Sequence, residues 1–266
     1  MFDRFNRHIN YLRISVTDRC NLRCRYCMPE VGIKWLPHNE ILSFDEIVEV
    51  AKVAVSLGVD KIRITGGEPL VRKGIVELVS MIATIDGIKD FGMTTNGLLL
   101  EEFAQPLADA GLKRINISVD TVDPFKYRQI TRLGDFEKLM KGIEAARNAG
   151  LKPIKINCVI LESHLEKDAQ AVSQFCIQNN LDIRYIREMD LEKGTFWKVR
   201  GGEGGDCSVC NRLRLTSNGK IKPCLFSNLE YDIRTLGVKN AFELALGNKP
   251  ESGSCNFTNK FSNIGG

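Results

Sequence analysis

Strand-like and helix-like segments alternate along most of the chain. Short segments with alternating apolar and polar residues predict β-strands, and longer ones with apolar residues every three or four positions predict helices. The predicted strands cover residues 12–17, 61–65, 90–95, 113–120, 153–160 and 181–188. The predicted helices lie near residues 44–57, 73–85, 100–110, 136–149 and 165–179. This βα rhythm predicts a parallel α/β sheet, either open and doubly wound or a partial barrel.

One polar face on the predicted strands helps to decide between these folds. Strands covered by helices on both sides should be apolar on both faces. Here one alternating face is polar and carries Arg13, Ser15, Thr17, Arg63, Thr65, Asn116, Ser118, Asp120, Lys155, Asn157 and Arg184. Arg and Lys inside a barrel are unfavourable unless they meet an anion or water. An exposed sheet face would explain one strand with a polar side. Five such strands instead predict a wide or incomplete barrel around a polar cavity for an anionic ligand.

The pattern changes after the sixth predicted strand. Residues 191–206 are rich in glycine and predict an irregular connection. The segment RLRLTSNGKIKPC predicts a β-hairpin with Asn218-Gly219 as its turn. We therefore expect a partial barrel over 1–190, the connection over 191–206, and a small C-terminal region over 207–266 that ends in a Gly-Gly tail.

Composition narrows the class of protein. The 266 residues are 43% hydrophobic and 26% charged, as in an ordinary globular protein. A net charge of +4 without a run of Lys or Arg does not indicate nucleic-acid binding. No apolar run is long enough to span a membrane and the first residues lack a signal peptide, so we expect a cytoplasmic protein without membrane association.

Nine cysteines in a cytoplasmic chain indicate metal binding rather than disulfides. Cys158 and Cys176 are expected to be small buried apolar residues on a strand and a helix. Six of the others form two groups, namely Cys20, Cys24 and Cys27, and Cys207, Cys210 and Cys224. Each group is a candidate metal site.

The first group has the spacing C-x3-C-x2-C on a loop after the first strand. Three thiolates can bind three irons of a [4Fe–4S] cluster and leave the fourth iron open. S-adenosylmethionine (SAM) can chelate that iron, so that electron transfer yields a 5′-deoxyadenosyl radical. Zinc is the alternative, since it also accepts three cysteines. The segment Gly66-Gly67-Glu68-Pro69 favours the cluster, because its glycines permit close approach and Glu68 can accept from an ammonium group.

The second group has the spacing C-x2-C-x13-C, again without an obvious fourth ligand. A structural zinc site needs a fourth ligand, for which Cys255 is a candidate. A second [4Fe–4S] cluster would instead leave its fourth iron free for substrate. The spacing alone leaves both interpretations open.

Several segments resemble a known family. They are LRISVTDRCNLRCRYCMP, KIRITGGEPL, TTNGLLL, RINISVDTVD, IRYI and CSVCNRLRLTSNGKIKPCLF, with the terminal Gly-Gly. They are similar to the radical SAM superfamily and, within it, to the GTP 3′,8-cyclases of molybdenum cofactor biosynthesis. The resemblance implies a partial (β/α)6 TIM-like barrel and a radical SAM lyase with two [4Fe–4S] clusters. It also implies GTP as the small anionic substrate and a flavodoxin or ferredoxin as electron donor.

The resemblance also implies roles for individual residues. The six grouped cysteines would be the cluster ligands. The SAM-binding residues would be Tyr26, Gly66, Gly67, Glu68, Pro69, Ser118 and Met189. The GTP-binding residues would be Arg13, Arg63, Thr94, Lys155, Arg184, Arg212 and Arg214. The terminal Gly265 and Gly266 would reach into the active site and act in catalysis.

Two departures from the family leave the substrate open. Between Met189 and Cys207 the chain is shorter than the cyclases by dozens of residues, and Arg187 stands where the family carries Glu. Both lie where the substrate cavity would be closed. A related radical enzyme acting on a peptide or another small anionic molecule is therefore an alternative. A non-catalytic electron carrier or zinc-binding module is a third, against which the GGEP segment and the polar strand face argue.

Overall fold

The computed structural model describes residues 1–265, which form one mixed sheet with helices packed on its apolar side. The strands are β1 (Tyr11–Ser15), β2 (Lys61–Thr65), β3 (Asp90–Thr95), β4 (Arg114–Ser118), β5 (Ile154–Ile160), β6 (Asp182–Arg187), β7 (Arg212–Leu215), β8 (Lys220–Lys222) and β9 (Tyr231–Asp232). The helices are α1 (Phe44–Ser56), α2 (Ile75–Ala83), α3 (Leu100–Asp109), α4 (Pro124–Thr131), α5 (Phe136–Asn148), α6 (Lys167–Gln178), α7 (Ile233–Leu236), α8 (Val238–Gly247) and α9 (Phe261–Ile264). All the strands and helices expected from periodicity are present, with small shifts of their ends.

The strand order in the sheet is β6-β5-β4-β3-β2-β1-β7-β8-β9. Strands β1 to β6 are parallel, β7 pairs in parallel with β1, and β8 and β9 are antiparallel to their neighbours. Among the described residues no pairing joins β6 to β9, so the barrel is open between them. The expected partial barrel is confirmed. The expected hairpin with its turn at Asn218-Gly219 is also confirmed, and it continues the barrel sheet.

Hydrophobic burial explains how the sheet and helices pack. The apolar positions of the strands point toward the helices and are fully buried, including Ile14, Ile62, Ile64, Ile115, Ile117 and Ile156. Cys158 on β5 and Cys176 on α6 belong to the same core, as expected. Because side chains alternate across a strand, the polar positions must face the interior of the barrel. The core therefore fixes the direction of the site residues.

Helix α4 was not among the predicted elements, although an Asp-Pro pair marks its start. Asp123 accepts from two backbone N–H groups of the first turn, and Pro124 occupies that turn. Just after α4, Arg132 Nη1 donates to the carbonyl oxygens of Arg23 and Met28, each at 2.8 Å. The end of this helix therefore anchors the first cysteine loop.

Residues 191–206 form the expected irregular connection and pack along the open edge at β6. Tyr185 and Arg200 exchange two backbone hydrogen bonds, and Gly201 approaches the Ile183 carbonyl so closely that a Cβ would lie 2.5 Å from it. The division of the chain into three regions stays a prediction. No helix within residues 1–265 is long and apolar enough to cross a membrane.

Candidate active site

Two adjoining cavities open inside the partial barrel. The upper cavity lies at the carboxyl ends of the strands and is lined by the first cysteine group and residues 65–68. The inner cavity lies between the strands and is lined by the second cysteine group and the arginines of the polar face. Asn157, Ile186 and Met189 line both cavities. Together with the solvent at their mouths they enclose about 1000 and 1140 Å³.

The upper cavity is formed where the first cysteine loop packs against residues 66–69. The Gly67 N–H donates to the Thr17 carbonyl at 2.8 Å, and the Glu68 N–H donates to the Arg19 carbonyl at 2.8 Å. A Cβ at Gly67 would lie 2.3 Å from the Arg19 carbonyl oxygen, so only glycine permits this approach. The cysteine loop and the GGEP segment are therefore one structural unit.

Glu68 is a buried acceptor in the upper cavity. Its Oε1 accepts from the Leu70 N–H at 3.0 Å and the Thr95 hydroxyl at 2.7 Å, and its Oε2 accepts from the Asn96 N–H at 2.7 Å. The Asn96 side chain donates in turn to Asn21 of the cysteine loop at 2.7 Å. Burial raises the pKa of Glu68 to about 7, although these hydrogen bonds lower it. A cationic ligand group would favour the carboxylate form.

Tyr26, directly before the third cysteine of the first group, is held by Asp120. The Tyr26 hydroxyl donates to Asp120 Oδ2 at 2.8 Å, and Asp120 Oδ1 accepts from the Val159 N–H at 2.8 Å. Burial raises the pKa of Asp120 to about 6. The ring is thereby fixed between the cysteine loop and the ends of β4 and β5, where it offers a flat apolar surface to a ligand.

The inner cavity is strongly cationic. Its lining carries seven cationic side chains, which are Arg13, Lys61, Arg63, Arg114, Arg184, Arg212 and Arg214, against the two carboxylates of Glu203 and Asp206. Strand register aligns several of them, because Arg13 of β1 pairs with Arg63 of β2 and with Arg214 of β7. Side chains at paired positions point to the same side of a sheet. Three guanidinium groups therefore lie in a row across the barrel interior.

In the described part of the chain, several of these guanidinium groups bury an N–H without an acceptor, although Nη1 of Arg63 donates to Asn116 Oδ1 at 3.2 Å. Arg63 is 1% exposed and Arg214 is 8% exposed. Burial, with the nearby charges of Arg13 and Arg212, lowers the pKa of Arg214 to about 9. The Nε atoms of Arg63, Arg184 and Arg212 have no hydrogen-bond partner within residues 1–265. Buried donors without acceptors are unfavourable, so this arrangement suits an anion with several acceptor oxygens.

Tyr11 lies among these cations. The Lys61 Nζ and the Arg212 guanidinium lie over its ring, 4.9 and 5.4 Å from the ring centre. Burial alone would raise the pKa of Tyr11, but Arg13, Arg63 and Arg212 lower it to about 7. A phenolate here offsets part of the positive charge of the cavity.

The second cysteine group lies at the wall of the inner cavity. Burial raises the pKa of the Cys224 thiol, whereas at Cys210 the combined effects of Lys249 and Arg212 outweigh burial and the pKa is lowered. Cys255 lines neither cavity. Within residues 1–265, no three His, Cys, Asp or Glu side chains converge as the ligands of one metal ion do.

Most predicted site residues lie in the two cavities. The upper cavity contains Cys20, Cys24, Tyr26, Cys27, Gly66, Gly67, Glu68, Thr94, Ser118 and Met189. The inner cavity contains Arg13, Arg63, Arg184, Cys207, Cys210, Arg212, Arg214 and Cys224. Thr94 therefore lies apart from the cations, and Pro69 and Lys155 line neither cavity. Lys155 forms an ion pair with Asp182 at 2.9 Å.

Three residues of the inner cavity were missed by the sequence analysis. Tyr11, Lys61 and Arg114 occupy the same alternating positions as Arg13, Arg63 and Asn116. The signal was therefore present in the strand periodicity. It was overlooked because these residues stand at the first positions of their strands.

The C-terminal segment reaches the boundary between the cavities. The Gly265 carbonyl accepts a hydrogen bond from Arg214 Nη1. A Cβ at Gly265 would lie 2.4 Å from Thr65 Cγ2, and the residue has a φ of +64°. Both constraints favour glycine at this position. Gly266 lies outside the described residues.

Arg187, for which the sequence predicts a departure from the family, has a partner in residues 191–206. Its Nε donates to the Leu161 carbonyl at 3.0 Å, and its guanidinium lies over the Trp197 ring, 3.9 Å from the ring centre. Because Trp197 belongs to residues 191–206, this contact joins the end of β6 to the connection.

Comparisons with known proteins agree with this geometry. Residues 14–176 match the family model of the radical SAM superfamily. The chain is 43% identical to the GTP 3′,8-cyclase of Alkaliphilus oremlandii over 275 residues, covering 88% of this chain and 86% of that protein. It is 42% identical to the GTP 3′,8-cyclase of Thermodesulfovibrio yellowstonii, covering 89% and 88%. The chain belongs to the radical SAM superfamily, in the family that these enzymes represent.

Solved structures support the fold. Native anSMEcpe with bound AdoMet superposes with a TM-score of 0.61 at 16% identity, over 91% of this chain and 81% of that one. Streptococcus suis SuiB superposes with a TM-score of 0.55 at 19% identity, over 73% and 42%. Membership of the superfamily implies an enzyme that uses a [4Fe–4S] cluster and SAM. The three thiols, the close approach at Gly67 and the buried acceptor Glu68 fit those groups in the upper cavity.

Proposed function

We propose that this protein is a GTP 3′,8-cyclase of molybdenum cofactor biosynthesis, the activity for which its curated relatives are named. The [4Fe–4S] cluster of the upper cavity, when bound, supplies the electron that cleaves SAM to a 5′-deoxyadenosyl radical. This radical would take a hydrogen atom from C3′ of the GTP ribose and leave as 5′-deoxyadenosine. The C3′ radical would then bond to C8 of the purine as the C8=N7 double bond opens, and the nitrogen radical so formed would take up one electron from the donor protein and one proton. A cytoplasmic location and a flavodoxin or ferredoxin as electron donor complete the proposal.

The observation that carries the proposal is the set of buried guanidinium Nε atoms without acceptors among the described residues of the inner cavity. The Nε atoms of Arg63, Arg184 and Arg212 face no protein acceptor within residues 1–265. A triphosphate offers several charged oxygens, and guanidinium groups bind such oxygens in pairs. A peptide backbone offers neutral carbonyls and would leave the cationic cavity uncompensated. The inner cavity therefore favours a nucleotide over the peptide alternative.

In the upper cavity the chain binds and orients SAM. Glu68 would accept from the ammonium group, and Tyr26, fixed by Asp120, would pack against the adenine. Gly66 and Gly67 would allow the ligand to approach the backbone closely, and Ser118 and Met189 line the same cavity. Because Met189 lines both cavities, SAM and GTP would meet beside it.

We assign a second [4Fe–4S] cluster to Cys207, Cys210 and Cys224. All three thiols line the inner cavity, and Cys255, the candidate fourth zinc ligand, does not. Three thiolates leave one iron open, which would face the purine of GTP. The triphosphate would then extend toward the cationic side chains of β1, β2 and β7.

The terminal glycines and two predicted GTP contacts, Thr94 and Lys155, complete the set of proposed site residues. The position of Gly265 between Thr65 and Arg214 supports a catalytic role for the terminal Gly265 and Gly266. Thr94 and Lys155 stay predicted GTP contacts. Thr94 could reach a nucleotide from the upper cavity, whereas Lys155 would first have to leave its ion pair with Asp182.

The test is anaerobic reconstitution of the full chain with iron and sulfide, followed by incubation with SAM, GTP and a reductant. We expect about eight irons per chain, release of 5′-deoxyadenosine, and a cyclised product from GTP. Cleavage of SAM without any product from GTP would refute the cyclase. Zinc binding without SAM cleavage would refute the radical chemistry as well.

A further inference from the structure

Two buried cations lie behind the second cysteine group and outside both cavities. Lys249, directly beyond the turn that ends α8, is 1% exposed, and Arg7, near the start of the chain, is 7% exposed. Neither residue belongs to a motif of the sequence analysis. We call this pair the cation clamp.

Lys249 joins the backbone next to two of the cysteines. Its Nζ donates to the Arg212 carbonyl at 2.8 Å and to the Pro223 carbonyl at 2.5 Å. Arg212 stands two residues after Cys210, and Pro223 directly precedes Cys224. One ammonium group therefore holds together the two segments that present these thiols.

Arg7 holds the third cysteine. Its Nη1 donates to the Cys207 carbonyl at 2.7 Å and to the Glu251 carbonyl at 2.8 Å, and its Nη2 donates to the Pro250 carbonyl at 2.7 Å. Its Nε is paired with the buried Asp3 at 2.6 Å. Arg7 thus connects the Cys207 segment to the residues that directly follow Lys249.

The buried ammonium group of Lys249 differs from the other buried cations in its surroundings. A buried ammonium group is strongly unfavourable unless an anion balances it. Within residues 1–265 no carboxylate forms an ion pair with Lys249, whereas buried Lys222 has Glu230 at 3.6 Å and Arg7 has Asp3. Its ammonium group donates to the carbonyl two residues after Cys210 and to the carbonyl directly before Cys224, so its positive charge lies beside two of the proposed cluster ligands. A cluster bound there would bring negative charge through its thiolate and sulfide groups and would balance this ammonium group.

We propose that Arg7 and Lys249 are positioning residues for the second iron–sulfur cluster, and that Lys249 also stabilises its thiolate ligands by charge. This inference rests on the proposed function, because it requires a cluster on Cys207, Cys210 and Cys224. Hydrogen-bonded groups behind metal ligands typically change metal affinity by about 10- to 100-fold. A cation beside the cluster also stabilises its reduced form, since reduction adds negative charge.

The experiment compares the reconstituted wild-type chain with Lys249→Met, Lys249→Arg and Lys220→Met. Lys220 is the matched control, a partly buried lysine on β8 paired with Asp232. Iron loss to a chelator is followed with the electron paramagnetic resonance signals of both clusters, and 5′-deoxyadenosine formation reports on the first cluster. We expect Lys249→Met to lose the second cluster about 10- to 100-fold faster and to lower its reduction potential. The first cluster, and both clusters of Lys220→Met, should be unchanged.

The Lys249→Arg variant distinguishes an effect of the positive charge from an effect of side-chain packing. Lys249→Arg keeps the cation and should restore both the potential and most of the retention, whereas a purely structural role would not move the potential. An unchanged rate of iron loss and unchanged potential in Lys249→Met would overturn the clamp alone. If Lys249→Met does not fold, the rate of iron loss from Arg7→Lys tests the proposal instead. Lysine at this position keeps the charge but cannot make all the contacts of Arg7, so faster loss is expected. A wild-type chain with only one cluster would overturn both the clamp and the second cluster.

Discussion

Each cavity presents three cysteines as candidate iron ligands, but the charged groups around the two sets of thiols have opposite signs. In the upper cavity, burial raises the pKa of Cys20 to about 12, with a further increase from Glu68, and burial raises the pKa of Cys27 to about 11. In the inner cavity the pKa of Cys210 is lowered, because Lys249 and Arg212 outweigh burial. Acidic groups surround the first set of thiols and cations surround the second.

The difference shows how one barrel can hold two oppositely charged ligands side by side. A buried carboxylate suits the ammonium and sulfonium groups of SAM, and a row of guanidinium groups suits a triphosphate. The cavities meet at Asn157, Ile186 and Met189, of which none is charged. The local charge therefore determines which ligand binds in which cavity, while the shared wall of Asn157, Ile186 and Met189 allows the two ligands to meet.

The largest expected effect comes from removing one ligand from one group. Cys24→Ala should abolish 5′-deoxyadenosine formation and leave about four irons per chain, whereas Cys210→Ala should leave SAM cleavage but no cyclised product. Iron analysis and product chromatography check both. Cys176→Ala, in the core of α6, is the control and should keep all iron. Loss of all iron in either ligand variant would mean that the two groups are not separate sites.

Charge removal in the inner cavity should give the next largest effect. Arg212→Ala removes a half-buried guanidinium and should weaken GTP binding about 10- to 150-fold, since a hydrogen bond to a charged group contributes about 1.5–3 kcal/mol. Calorimetric titration with GTP and, separately, with SAM checks this. SAM affinity should not change. Arg147→Ala, which removes an exposed arginine bound to Asn179, should affect neither ligand. Equal GTP affinity in the two variants would contradict the assignment of the inner cavity.

The close approach that builds the upper cavity predicts a smaller effect. Gly67→Ala places a Cβ 2.3 Å from the Arg19 carbonyl and should lower the free energy of unfolding by about 1–3 kcal/mol, with weaker SAM binding. Denaturant unfolding measures the change. Gly247→Ala, at the end of α8, has no atom within 4 Å of the new Cβ and should be neutral or slightly stabilising. Similar losses in both variants would show that Gly67 is not specially constrained.

The smallest expected effect concerns the pH at which the Tyr11 hydroxyl ionises. Its pKa of about 7 lies below the ordinary value of 10.0, so its phenolate stabilises the folded state. That contribution is fully present above pH about 10 and is lost as the pH falls through about 7. The phenolate absorbance of the wild type minus that of Tyr11→Phe should show this midpoint, and GTP should raise it by neutralising the cations. A midpoint near 10 would mean that the arginines do not act on this ring.

Much of the site was predictable because its signals are local. Strand alternation placed Arg13 and Arg63 on one face, and the spacing of Cys20, Cys24 and Cys27 identified a cluster loop. The Asp123-Pro124 start of α4 and the positions of Tyr11 and Lys61 were equally local and were overlooked. In contrast, no local pattern distinguishes Lys249 from other lysines, since its two acceptors lie 37 and 26 residues away in sequence.

The sequence by itself determined the elements, the two sets of thiols and the polar strand face, because hydrophobic periodicity and ligand spacing act within a few residues. Only the tertiary structure decided that β7 pairs beside β1, which adds Arg214 to the row of Arg13 and Arg63 and places Arg212 beside Tyr11. It likewise decided that Arg7 meets the Cys207 carbonyl across 200 residues of chain. Such contacts depend on which strand edge remains free once the core has packed, and that is a property of the whole sheet.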